Sequence, residues 1–299
     1  MPYWRKEVLK SAADVSGLCA KLANLPKQSI TISACCWTDL LGYGTPFYDS
    51  NWEPSDKDLN SQANRIANAH LQCYSNLEPT TEFVLTLNDG VVRCCDQERF
   101  QHLDFLSMWL RACIWTHNAI NKSEKKENLP GARTVLACGK TLKYSHVNVC
   151  IDDFVYNYTK SDPAKLSKIA RTTGNPTVAV NPGPLQMNLA FSKAYLLESW
   201  GSKVGIEGPH FFIDESLLLF IQQMHRCFNS PFKIIDEQKQ KNRLFALPSR
   251  KDNSRFHLGL ELLQPPIQIE NKYMKTNIWR LLGFYPCDED VKDFKNPVE

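Results

Sequence analysis

The chain has little excess charge of either sign: 35 Lys and Arg stand against 32 Asp and Glu, a net charge of +3. A nonspecific nucleic-acid binder carries a dense basic face, and these totals give no sign of one. Long apolar runs are also missing. Stretches such as residues 216–221 are short, far below the ~20 residues a bilayer span needs. Residues 1–10 are charged and lack an apolar h-region, so no secretory signal is expected. A cytoplasmic protein with neither membrane nor nucleic acid as partner is the expectation. No CxxC pair, HExxH helix or G-x-S-x-G elbow occurs, which leaves zinc sites and hydrolase triads without local support. Gly139-Lys140-Thr141 ends like a P-loop, but the first glycine that motif requires is Thr134.

What the chain does contain is an ordinary core. Of 299 residues 43% are hydrophobic, which excludes wholesale disorder. The 11 cysteines are odd in number, and Cys35-Cys36 and Cys94-Cys95 sit inside apolar runs. They read as reduced thiols packed like small hydrophobes.

Periodicity lays out the elements. Residues 8–25 repeat apolar positions at helical spacing, and Pro26 ends that helix. Residues 30–41 are apolar on both faces, as in a central strand. The permissive turn Gly42-Tyr43-Gly44-Thr45-Pro46 follows, then a helix over 59–74. Strands at 81–87 and 91–95 flank Asn88-Asp89-Gly90, whose Asp-Gly pair signals a tight hairpin. A long helix over 100–120 and a strand over 133–138 complete a βαββαβ series. Residues 185–200 form a further helix stopped by Gly201 or Gly205, and 210–213 reads as a strand. Residues 233–236 and 243–247 are expected to pair as a terminal hairpin. The expected fold is therefore α+β, with a ferredoxin-like core and extra C-terminal strands and helix. Its expected divisions are an N-terminal helix (1–28), a main domain (29–249) and an extension (250–299) on that domain.

Two carboxylates stand out. Asp39 ends the central strand and Asp89 tops the hairpin, and in a ferredoxin-like sheet these strands are neighbours. Both acids would project at one end of the sheet, where paired hard oxygens suit Mg²⁺ or Mn²⁺ bridging nucleotide phosphates. Backbone N–H groups of Tyr43, Gly44 and Thr45 would lie beside them. Asp152-Asp153 is a weaker pair, read as solvated or capping.

At these residues the chain resembles the class III nucleotidyl cyclases. Thr38-Asp39-Leu40-Leu41-Gly42-Tyr43-Gly44 is similar to their opening motif, and Leu87-Asn88-Asp89-Gly90-Val91-Val92 to their hairpin motif. Arg133-Thr134-Val135-Leu136-Ala137-Cys138-Gly139 resembles the following strand, and Asn188-Leu189-Ala190-Phe191-Ser192 the helix carrying a transition-state Asn. The resemblance spans about residues 29–248, and the compact form is most like the pyrimidine cyclases of Pycsar anti-phage systems. It implies cyclisation of a nucleoside triphosphate with release of pyrophosphate. It also implies two Mg²⁺ or Mn²⁺ ions per site, held by Asp39, Leu40 and Asp89. Arg133 would contact phosphate, Asn188 would orient the ribose, and Gly42, Tyr43, Gly44 and Thr45 would line the substrate. The implied assembly is a head-to-tail homodimer whose product is read by a cyclic-nucleotide-responsive effector.

Two positions depart from that pattern. Where the family has a transition-state Arg this chain has Ser192, with Lys193 one step beyond as the substitute cation. The base-reading position holds Leu85, which cannot read a purine edge. That favours CTP or UTP, or a base contact made elsewhere. The competing expectation is a nucleotide-binding or scaffolding module that kept the fold and lost turnover. A diguanylate-cyclase-like palm would need a GG-[DE]-[DE]-F hairpin, which is absent.

Overall fold

A computed structural model describes residues 30–77, 82–96, 104–142, 185, 187–227, 235–239, 242–247, 257–287 and 296–297. The expected helix over 8–25 and the Asp152-Asp153 pair lie outside the described residues. The described residues within 31–141 and 187–299 belong to one compact unit, an α+β fold built on a mostly antiparallel sheet.

The unbroken apolar run ITISACCWTDL becomes β1 (Ile30–Leu40), an interior strand whose residues from Ser33 to Thr38 are all buried. The connection to the next strand carries α1 (Thr45–Asp49) and α2 (Asp56–Tyr74). Ser55 caps α2 by accepting a hydrogen bond from the Asp58 amide. Strands β2 (Phe83–Leu87) and β3 (Gly90–Asp96) form the hairpin, α3 (Asp104–Lys126) crosses back, and β4 (Ala132–Leu142) follows. In space these strands lie in the order β2-β3-β1-β4, the ferredoxin-like arrangement.

Helix α4 (Leu189–Trp200) begins at Asn188, which caps it, and ends at Gly201 with φ of 48°. A 3₁₀ turn (Gly201–Val204) leads to β5 (Phe211–Asp214), which runs parallel to β4. Next comes α5 (Glu215–Cys227), then β6 (Ile235–Lys239), β7 (Asn242–Leu247), β8 (His257–Leu263), β9 (Ile267–Glu270), β10 (Lys275–Cys287) and β11 (Asn296–Pro297). The expected hairpin of 233–236 with 243–247 forms as β6 with β7, but it is not terminal. Strand β10 inserts between β5 and β8 and also pairs with β9 and β11.

Side-chain alternation divides the sheet into two faces. Ala34 and Cys36 of β1, Leu136 of β4 and Phe211 and Ile213 of β5 join one core with Trp109, Leu110 and Ile114 of α3 and Leu217 and Ile221 of α5. Helix α4 covers the other face. Trp37 meets Phe191 and Tyr195 there, with ring centroids 5.9 and 5.4 Å apart. Gly139 is needed at that contact, because a Cβ would sit 2.7 Å from the Ala190 amide nitrogen. Gly139, Lys140 and Thr141 lie within β4 rather than in a phosphate-binding loop. Cys35, Cys36, Cys73, Cys94, Cys95, Cys113 and Cys138 are free and buried. No described helix is long and apolar enough to cross a membrane.

Candidate active site

The β1–β3 ladder brings the two acids together. Asp39 lies opposite Gly90, and the Leu40 amide donates to the Asp89 carbonyl at 3.3 Å. The two-residue turn is Asn88-Asp89, not the Asp-Gly pair that the sequence signal suggested. Asn88 takes the positive φ, 53°, which asparagine tolerates better than most residues. Gly90 opens β3 instead, because the Trp37 indole lies 2.5 Å from where its Cβ would be.

Beyond Asp39 the chain is pinned and then bent. Leu41 donates its amide to the Gly131 carbonyl at 2.8 Å. Gly42 turns with φ of 65°, and the Thr45 amide donates back to its carbonyl at 3.2 Å. Asn121 fixes the start of β4 from below: its Oδ1 accepts from the Ala132 amide at 2.7 Å, and its Nδ2 donates to the Ala132 carbonyl at 3.1 Å.

The outcome is a cleft of about 440 Å³ with Asp39, Leu40, Asn88 and Asp89 on one side and Gly42, Tyr43, Gly44 and Thr45 on another. Three aromatic residues that the sequence reading passed over complete it: Phe47, Tyr48 and Trp52. The Phe47 and Trp52 rings stack at 6.2 Å, and the Tyr43 hydroxyl donates to Asn88 Oδ1 at 3.2 Å. The clustering of aromatics just after Thr45-Pro46, without any regular spacing, was the signal available for them.

The electrostatics favour a cation. Burial, then the neighbouring Glu198 and Asp89 carboxylates, push the Asp39 pKa up to about 8, with Arg133 pulling the other way. Burial also raises Asp89, partly offset by hydrogen bonding with its own backbone and by Arg65. Two partly desolvated carboxyls lining one cleft, with the charge of Asp89 felt at Asp39, form a hard-oxygen donor set. Mg²⁺ or Mn²⁺ is usually held by one or two carboxylates together with substrate phosphates, and this set fits that pattern. Among the described residues, no group of three or more His, Cys, Asp or Glu side chains gathers for a metal.

The other expected residues are placed differently. All three Arg133 guanidinium nitrogens are engaged: Nε and Nη2 donate to Glu198 Oε1 at 3.0 and 2.5 Å, Nη1 to the Ile206 carbonyl, and Nη2 to the Glu198 carbonyl. Gly201 leaves room for this, since a Cβ there would meet Arg133 Nη2 at 2.8 Å. Asn188 is buried, with its Oδ1 accepting from the Phe191 amide and its Nδ2 donating to Ser33 Oγ. Ser33 and Asp39 are six residues apart on β1, so roughly 20 Å separates the two ends at ~3.3 Å per residue. Lys193 donates to buried Asp214 at 2.6 Å and to Thr276 at 3.3 Å. Leu85 lies on β2 opposite Val92, half-buried, and is not part of the cleft wall.

No protein-family profile and no curated protein matches the chain. Among solved structures, the guanylyl cyclase Cya2 aligns at 9% identity over 92% of this chain and 100% of that one, TM-score 0.40. The adenylyl cyclase CyaB from P. aeruginosa aligns at 8% over 86% and 96%, TM-score 0.39. The dimeric guanylyl cyclase domain of the RhoGC fusion protein from the aquatic fungus Blastocladiella emersonii aligns at 12% over 87% and 99%, TM-score 0.40.

Proposed function

We propose that the chain is a nucleotidyl cyclase acting on a nucleoside triphosphate. The single observation that carries this reading is the convergence of Asp39 and Asp89 beside the Gly42–Thr45 turn. In the reaction the ribose 3′-oxygen bonds to the α-phosphorus, the bridge to the β-phosphate breaks, and pyrophosphate leaves with a cyclic monophosphate formed. Asp39, Asp89 and the Leu40 carbonyl would hold Mg²⁺ or Mn²⁺, which when bound supplies Lewis-acid charge to the phosphate oxygens. The N–H groups of Tyr43 and Gly44 bind the triphosphate, while the Thr45 amide, expected to do the same, is spent on the Gly42 carbonyl and holds the turn. The aromatic wall shields the ligand from water. Arg133 acts on this site through charge, opposing the rise in the Asp39 pKa. Direct phosphate contact would require it to leave Glu198.

A head-to-tail homodimer belongs to the same proposal. Asn188 and Lys193 lie towards the far end of the sheet from Asp39, so one chain does not bring both sets to one ligand. A second copy, reversed, would, and would create two equivalent sites. The apolar Leu85 supports a pyrimidine triphosphate, CTP or UTP, whose cyclic product would serve as a messenger for an effector in anti-phage defence.

The second reading is a nucleotide-binding module without turnover. It is favoured by the Ser192 hydroxyl, which donates to the Asn188 carbonyl at 3.2 Å, and by the engagement of Lys193 with Asp214. Neither position offers an unengaged cation. Incubation with each of the four NTPs and Mn²⁺ separates the two readings. Pyrophosphate and a cyclic product, both lost in Asp39→Asn and Asp89→Asn, support the cyclase. Calorimetric binding of an NTP with no pyrophosphate release supports the binding module.

A further inference from the structure

A second cleft lies where the 3₁₀ turn, β5 and β10 meet, and nothing in the proposed reaction uses it. Its volume is about 510 Å³, with apolar walls that include Phe212, Pro265, Ile267 and Ile278. Arg280 and His210 face this space. Arg280 sits opposite Phe212 in the β5–β10 ladder, so it reaches the same face of the sheet as Phe212 and His210.

Both side chains are incompletely paired. Arg280 Nε and His210 Nδ1 are buried from solvent, and neither has a hydrogen-bond partner. No carboxylate forms an ion pair with Arg280 among the described residues, and Glu207, the acid in the cleft wall, is exposed and bonded to neither group. Buried guanidinium and imidazole nitrogens without acceptors are costly, and such orphans call for an explanation.

The imidazole is held in place. The His210 amide donates to the Gly208 carbonyl at 2.9 Å, and the ring stands edge-on to Phe212 at 6.3 Å. Gly208, at φ of 72°, keeps the ring's edge free, since a Cβ there would approach His210 Nε2 to 3.2 Å. Burial, and next the Arg280 charge, lower the His210 pKa to about 4, so at neutral pH the pair is one cation beside a neutral imidazole. A planar fork of donors, one neutral ring nitrogen and an apolar wall together match a specific ligand chemistry.

We propose that this cleft is a binding site for a small organic oxyanion, a carboxylate or phosphate carried on an apolar body and gripped by Arg280 and His210. The apolar body packs on Leu263, Pro265 and Ile267, which line the cleft and stay accessible, while the oxyanion takes the outer edge of the Arg280 guanidinium. The site is separate from the Asp39–Asp89 cleft, so it stands whether or not the chain turns over a nucleotide.

The test is titration of the full chain with phenyl phosphate, benzoate and inorganic phosphate, read by calorimetry and by the His210 imidazole NMR signals. One of the two aromatic probes is expected to bind, at least tenfold more tightly than inorganic phosphate, and to shift the His210 resonances. Phenyl phosphate against benzoate then tells phosphate from carboxylate recognition. Arg280→Gln should weaken that binding at least tenfold. His210→Phe is the second variant should the first not fold, and it too should weaken binding. The proposal is overturned if neither aromatic probe binds at millimolar concentration, if inorganic phosphate binds equally well, if His210 does not respond, or if a folded variant binds like the wild type.

Discussion

Asp39 and Asp89 are neighbours because of ladder register: Asp39 pairs with Gly90, and the next amide along β1 reaches the Asp89 carbonyl. Their proximity is thus written into backbone hydrogen bonds rather than side-chain packing. Substituting either carboxylate should leave the strand pair intact, which makes the site open to clean mutational tests.

The Asp39 pKa gives a signed prediction. Burial lifts it to about 8 in the folded chain, against ~4 for an unfolded aspartate. The protonated form therefore contributes stability that is fully present below about pH 4 and is lost as the pH rises through 8. Asp39→Asn, which keeps a neutral side chain, should be more stable than the wild type at pH 8–9 by roughly 1–3 kcal/mol. Urea melts at several pH values should show the two curves converging towards pH 4. Saturating Mn²⁺ should stabilise the wild type and not the variant.

The Arg133–Glu198 pair should behave as a buried couple, with the two side chains only 12% and 7% exposed. Glu198→Gln leaves the guanidinium with its strongest acceptor gone and should cost about 2–4 kcal/mol. Gly201→Ala forces both a strained φ and a clash with Arg133, and should cost a comparable amount. Chemical denaturation measures both.

Lys193 neutralises Asp214, whose side chain is fully buried. Lys193→Met should destabilise the chain by roughly 3 kcal/mol by stranding that carboxylate. Adding Asp214→Asn should restore part of the loss. A recovery of stability without recovery of pyrophosphate release would separate a catalytic part for Lys193 from its structural one.

The buried thiols should be inert. Burial raises the Cys35, Cys113 and Cys138 thiols well above their ordinary range and Cys73 to about 11. Thiolate is the reactive form, so a maleimide pulse on the native chain should leave these four unmodified by peptide mass spectrometry. All four should label in urea.

The first half of the sheet was legible in the sequence because its signals were local. The 11-residue apolar run of β1 and the apolar stripe of α3 each outlast the ambiguity of a short window. Asp39 and Asp89 followed from topology, since a ferredoxin-like order makes their strands adjacent. Helix α5 was missed because the short apolar run at 216–221 reads equally as a buried strand or a helix. β8 and β9 flank Pro265-Pro266, which reads as a breaker, and only the apolar patch within β10 was visible. The partners of Arg133 and Lys193 lie 65 and 21 residues away in sequence, and no local pattern announces them. The aromatic wall was present in the sequence and was passed over because no periodicity organises it.

Strand β10 supplies the neighbour on the side of β5 away from β4, yet it follows β5 only after α5 and four further strands. Until it arrives, β5 offers an open row of amides and carbonyls of the kind that recruits stray strands. During synthesis the chain therefore passes through a stage in which β5 has only β4 to pair with, and the exposed edge closes when β10 emerges.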